Sequence, residues 1–214
     1  MVKNLGEEHS VAPQILAEIR SAQIQKDRMR FQFNLERLGS IMAYEISKTL
    51  SFKEESVNTP LGKSTFEALT DPPVLITVMR AGIPYWLGFQ KIFDRSETGF
   101  IGAYRKEGNE ISIQVDYVAL PEITGRNVIL IDPMLATGKS LTDSVHLLSR
   151  KGKCRSLHLA VLIASPQGLD HIKQQLGEEI PVWTFAVDRE LNALSYIVPG
   201  LGDAGDLSFG EKNQ

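Results

Sequence analysis

Apolar and polar positions change period several times along the chain, and each change marks an element. From Pro13, the residues Ile15, Leu16, Ile19 and Ala22 share one helical face. From about Asp27 a longer set, Phe31, Leu35, Leu38, Met42 and Ile46, repeats at three and four residues with Gln32, Glu36 and Lys48 between them. Both segments are predicted as amphipathic helices that need a larger apolar surface to pack on. Between residues 51 and 69 the signals are mixed, and Val57 before Thr59-Pro60-Leu61-Gly62 suggests an edge strand or hairpin outside the core. VLITVM, residues 74–79, then reads as a strand buried on both faces, followed by a helix carrying Tyr85, Trp86, Phe89 and Phe93. Residues 98–103 return as a strand closing at Tyr104-Arg105. This predicts a right-handed βαβ unit whose two strands end on one edge at Arg80 and Arg105. After a polar turn, Ile111, Ile113, Val115 and Tyr117 alternate with polar neighbours, as in a half-exposed strand.

The stretch VILIDPMLATGKS, residues 128–140, organises the rest. Four apolar residues form a buried strand, and Asp132 sits at its carboxyl end, where open α/β sheets place ligands. Small residues lead into a helix marked by Leu141, Val145 and Leu148. Strand, small-residue loop and helix N-terminus together make a phosphate cradle: unpaired N–H groups of the first turn point at an anion, and Thr137 and Ser140 add hydroxyls. GKS resembles the end of a nucleotide-binding P-loop, but that motif requires glycine where Pro133 stands. The helix should end near Lys151 with Gly152 as its stop. Arg150, Lys151, Lys153 and Arg155 form the densest basic cluster, better explained as compensation of the helix dipole than as an RNA patch. LHLAVLIAS, a helix from Pro166 to Leu176 and a strand at residues 182–186 continue the alternation, which predicts a mainly parallel sheet wrapped by helices. GLGDAG, residues 200–205, matches a dinucleotide fingerprint in letters, but only nine residues follow Gly205, too few for the helix and strand that fingerprint needs. Its glycines instead expose main-chain groups able to read the edge of a flat heterocycle.

Composition narrows the options further. The chain has 214 residues, 43% hydrophobic and 23% charged, as expected for one domain over residues 1–214. A net charge of -3 gives no general attraction to nucleic acid, so a small anionic substrate requires a local basic site. The longest apolar run is too short to cross a bilayer, and the first residues lack a signal-peptide core. Cys154 is the sole cysteine and the four histidines are dispersed, with His146, His158 and His171 read as structural. A cytoplasmic home is expected.

The string DPMLATG, with Asp132 followed by Pro133 rather than a second acid, resembles the phosphoribosyl-diphosphate (PRPP) loop of the type I phosphoribosyltransferases in its uracil phosphoribosyltransferase form. RMRF at 28–31, LGSIMAYEIS at 38–47, RAG at 80–82, YR at 104–105 and YIVPGLGDAGD at 196–206 resemble the same family, so the resemblance covers nearly the whole chain. It implies an α/β type I phosphoribosyltransferase fold, with a mainly parallel sheet flanked by helices, N-terminal helices and a flexible hairpin lid at about residues 106–120. It implies transfer of the phosphoribosyl group from PRPP to uracil, giving uridine monophosphate and diphosphate, with Mg2+ entering bound through PRPP and its protein ligands left open. Asp132 and Arg105 would be catalytic. PRPP would meet Arg80, Arg105, Asp132, Pro133, Met134, Leu135, Ala136, Thr137, Gly138, Lys139, Ser140 and Asp203, and uracil would meet Ile197, Gly202, Asp203 and Ala204. The expected partners are these two small molecules and further copies of the chain, as a homodimer or larger, with no nucleic acid and no membrane. The chain departs from the family at Lys139, where a second glycine is usual, and at Leu207 and Glu211. The competing reading is a regulator of the same fold that senses PRPP or a nucleotide and binds RNA; the acidic balance argues against it.

Overall fold

A computed structural model describes residues 1–106 and 112–211, with backbone alone for 103–106 and 112–116. The chain opens with a short strand β1 (Val2–Asn4) and helices α1 (Ala12–Arg20) and α2 (Arg28–Ser47). Asp27 starts α2 by accepting a hydrogen bond from the Arg30 amide at 3.0 Å. The mixed segment is a hairpin, β2 (Phe52–Thr59) and β3 (Gly62–Leu69), which pairs only with itself and is mostly exposed. The βαβ unit follows as β4 (Val74–Met79), α3 (Gly82–Ile92) and β5 (Thr98–Lys106). In place of ending level with β4, β5 continues four residues beyond the Met79–Gly102 pair and forms an antiparallel ladder with β6 (Ser112–Ala119). Of the range 106–120, where a hairpin lid is expected, residues 112–119 form β6 paired with β5, and residues 107–111 lie outside the described residues.

The second half contains β7 (Asn127–Ile131), β8 (Met134–Leu135), α4 (Lys139–Lys151), β9 (Ser156–Ala160) and β10 (Ile163–Ala164). It closes with α5 (Pro166–Leu176), β11 (Val182–Thr184), β12 (Ala186–Val187), β13 (Glu190–Leu191), β14 (Ile197–Val198) and α6 (Ala204–Phe209). Seven strands make one sheet in the order β1-β11-β9-β7-β4-β5-β6, parallel throughout except for β5–β6. One face carries Leu75, Ile129 and Ile131 against α1, α2 and α3; the other carries Ile76, Val128 and Leu130 against α4 and α5. Both faces are covered, which is why the central strands read as unbroken apolar runs.

Two departures from the sequence reading shape the site. LHLAVLIAS is not one strand: the Pro133 carbonyl accepts from the amides of Leu162 and Ile163 at 2.9 and 3.1 Å, and the chain steps from β9 into β10. There β10 joins β8 and β12 in a small parallel sheet above the carboxyl edge of the large one. The second departure concerns α2 and α3, which cross at glycines. A Cβ on Gly39 would lie 2.1 Å from the Tyr85 carbonyl oxygen, and one on Gly88 would lie 2.1 Å from that of Glu36. No larger residue fits at either position. This crossing fixes α3, and with it the loop at Arg80, against the N-terminal helices.

Candidate active site

Asp132 leaves β7 at the carboxyl edge, and the chain then turns under the small sheet. Its carboxylate is largely buried and accepts from the Met134 amide at 3.3 Å. Ser165 closes the outside of the turn, donating its hydroxyl to the Ala136 carbonyl at 2.6 Å and its amide to that of Leu135 at 2.9 Å. Gly138 then adopts φ 81°, a left-handed conformation that glycine takes freely, and α4 starts at Lys139. No side chain caps α4. Its first-turn amides therefore face the cavity together with Thr137 and Ser140, and a helix N-terminus left open in this way is suited to a phosphate. Lys139 occupies the first helical position and is exposed. The positive φ that a family glycine would permit is not used there, because Gly138 carries it.

Across the cavity stands Arg80, at the end of β4. Its guanidinium donates to Asp206 at 2.9 Å and to the Gly210 carbonyl at 3.4 Å, while its Nε is buried without a partner among the described residues. The C-terminal helix α6 thus holds the head of Arg80 in place. Asp203 caps α6, one carboxylate oxygen accepting from the amides of Gly205 and Asp206 at 2.8 and 3.0 Å. The segment before α6 is pinned from far away in sequence. Asp188 accepts from Arg20 through both oxygens at 2.8 Å and from the Gly200 amide at 2.9 Å. Gly200 and Gly202, with φ 57° and 95°, turn the main chain so that Ile197, Gly202 and Ala204 border the cavity.

These pieces enclose a cavity of about 280 Å³. It gathers Arg80, Asp132, Met134 to Ser140, Ile197, Gly202, Asp203 and Ala204, the larger part of the residues picked out in the sequence. Pro133 does not line it; that residue is buried and its carbonyl serves the small sheet. The side chain of Arg105 lies outside the described residues, although its backbone is on β5 next to β4. Asp206, Asp188 and Arg20 were missed. Their partners lie 126 and 168 residues away, and no local periodicity marks such pairs. Among the described residues no group of three or more His, Cys, Asp or Glu is placed to hold a metal ion, and no helix is long and apolar enough to cross a membrane.

A family model described as uracil phosphoribosyltransferase matches residues 6–211. A uracil phosphoribosyltransferase of Porphyromonas gingivalis is 44% identical over 213 residues, 99% of each chain. One from Methanothermobacter thermautotrophicus is 38% identical over 186 residues, covering 86% of this chain and 85% of the other. A solved structure of an Aquifex aeolicus protein superposes with a TM-score of 0.88 at 28% identity, covering 98% of both chains. A purine phosphoribosyltransferase of Pyrococcus horikoshii shares the fold alone, with a TM-score of 0.50 and 14% identity over 73% of this chain and 83% of that one. The regulator reading has no support among these matches. From the matched model and the relatives together, the chain belongs to the uracil phosphoribosyltransferase family.

Proposed function

We propose that this protein transfers the phosphoribosyl group of PRPP to uracil, releasing diphosphate and forming uridine monophosphate. The observation that carries the reading is convergence. The uncapped N-terminus of α4, Arg80 and the glycine-rich main chain around Gly202 are far apart in sequence and line one cavity. The α4 amides and the hydroxyls of Thr137 and Ser140 take the 5′-phosphate, Asp132 takes the ribose hydroxyls, and Arg80, steadied by Asp206 and the Gly210 carbonyl, places its positive charge beside the diphosphate. A magnesium ion carried by PRPP would supply positive charge for the departing diphosphate. Asp132 and Asp203, which line the cavity, are the residues whose carboxylates would offer that ion hard oxygen donors. Departure of the diphosphate leaves positive charge on the ribose ring, so the chain works by holding both partners in line and by placing Asp132 near that charge.

Uracil presents a carbonyl, an N–H and a carbonyl along one edge, which the main chain of Ile197, Gly202 and Ala204 can match. Cytosine replaces one carbonyl with an amine and leaves a donor unpaired, at a cost of about 1–3 kcal/mol. The test is an assay of the purified protein with PRPP, magnesium and uracil, following uridine monophosphate and diphosphate. Turnover with uracil and little with cytosine is expected. Equal turnover of the two bases, or none with uracil, would overturn the reading.

A further inference from the structure

We infer that a second ligand site lies at the amino-terminal edge of the central sheet, a groove that takes a heteroaromatic anion of nucleotide size on Asn127, His158 and Lys153. Asn127 opens β7, and Asp132 follows the other end of that strand. The groove and the active-site cavity therefore sit at opposite edges of the sheet and share no lining residue. The groove measures about 900 Å³, within the range of small-molecule pockets. Leu50 beyond α2, Leu148 of α4, Leu157 of β9 and Ile180 before β11 give it apolar walls suited to a flat ring.

Two side-chain N–H donors of largely buried residues open onto this groove without a protein acceptor among the described residues. Asn127 is 7% exposed, and its carbonyl oxygen accepts from the Ser156 hydroxyl at 2.8 Å, which leaves its amide nitrogen without a partner among the described residues. His158 is also 7% exposed, and its Nδ1 accepts from the Trp183 indole at 3.2 Å. The proton then resides on Nε2, which likewise meets no acceptor among the described residues. Neither atom is sealed off from solvent, and the groove is the cavity that both side chains line. Burial and the nearby Lys3 lower the His158 pKa to about 4, so near neutrality it presents one N–H without a charge. In the free groove these donors are met by water, which an acceptor on a ligand can displace. Two in one apolar groove suit an acceptor-bearing ring arriving from outside.

The charge comes from the rim. Lys153 is exposed and has no ion-pair partner among the described residues, whereas Arg155 beside it is engaged with Asp71 at 3.0 Å. Glu179 is the acid on the lining. A free ammonium beside a donor-lined apolar wall fits a ring with an anionic substituent better than a neutral molecule or a bare ion.

Cys154 also lines the groove and is the sole cysteine of the chain, so the rate at which iodoacetamide alkylates it reports on occupancy. Adenosine 5′-monophosphate is the probe. At about ten times its Kd it leaves roughly one groove in eleven open and slows alkylation about tenfold. Adenosine and inorganic phosphate, each carrying half of the chemistry, should protect little at the same concentration. Lys153→Glu changes an exposed residue and Asn127→Asp keeps the acceptor for Ser156; a new carboxylate near Cys154 slows its alkylation in the free variant, so protection is read as the ratio of each variant's own free and liganded rates, and each substitution should abolish most of it. Absence of protection by adenosine monophosphate would overturn the proposal. So would equal protection by phosphate alone, or undiminished protection in both variants, which would place the ligand elsewhere.

Discussion

Asp188 and Arg20 show how single side chains far from the reacting atoms determine the site. The pair joins α1 to the base loop, and Asp188 is largely buried, so its removal leaves a half-buried guanidinium and the Gly200 amide without their acceptor. Removing one partner of a buried pair costs about 3 kcal/mol. Asp188→Ala should lower the unfolding free energy by about that amount and raise the KM for uracil much more than that for PRPP, since the α4 cradle makes no contact with the pair. Equal changes in both KM values, at unchanged stability, would count against this role. Lys139 makes the opposite kind of point. A cation in the first turn of a helix opposes the helix dipole at a cost of about 0.3–1 kcal/mol, and this is reversed only when an anion docks there. Lys139→Gly should therefore leave the fold intact and weaken PRPP binding, with the larger loss at low ionic strength, where screening is least. A PRPP KM that is unchanged or improved at every salt concentration would show that Lys139 faces only solvent.

At the scale of elements, the cradle is the part most legible in sequence, because strand, turn and helix start are contiguous and each carries a local signal. The buried run of β7, the small residues of the turn and the helical repeat of Leu141, Val145 and Leu148 required no distant partner to be recognised. The α2–α3 crossing was not legible, since nothing near Gly39 or Gly88 shows that a backbone carbonyl passes 2.1 Å from the missing Cβ. The division of LHLAVLIAS between β9 and β10 was hidden for a similar reason. Both halves are apolar, and the break is set by the Pro133 carbonyl arriving from another strand. Gly138 lies where local and distant constraints meet. Its φ of 81° disfavours any side chain, and a Cβ would stand 3.0 Å from both the Gly168 carbonyl and the His171 ring. Gly138→Ala should cost about 2 kcal/mol in unfolding free energy, mostly for the left-handed backbone, and should weaken PRPP by rotating the α4 amides. Urea unfolding and PRPP kinetics measure the two parts separately; a variant with wild-type stability would mean the turn can reach an ordinary conformation.

On the scale of the whole molecule, the βα alternation was legible as a parallel sheet wrapped by helices, whereas strand order was not. The edge strand β1, only three residues long, carries no pattern of its own and is placed by pairing with β11. That placement matters for global stability, because it brings Lys3 over the Trp183 ring at 4.1 Å, beside the imidazole of His158. His158 reads as structural in sequence, and in the fold its pKa falls from 6.5 to about 4 through burial first and Lys3 second. Between those two values the unfolded chain binds a proton that the folded one refuses, so stability rises with pH there. The contribution is complete above about pH 6.5 and is lost as the pH falls through 4, amounting to about 3 kcal/mol over the window. His158→Phe removes the titration. It also leaves the Trp183 indole without its acceptor, but that cost does not depend on pH and shifts the whole curve without altering its slope. Denaturant unfolding from about pH 7 to pH 4 should therefore show wild type losing about 3 kcal/mol more than the variant, with every carboxylate common to both proteins cancelling in the comparison. Parallel curves would mean that His158 takes up its proton inside the fold as easily as outside it.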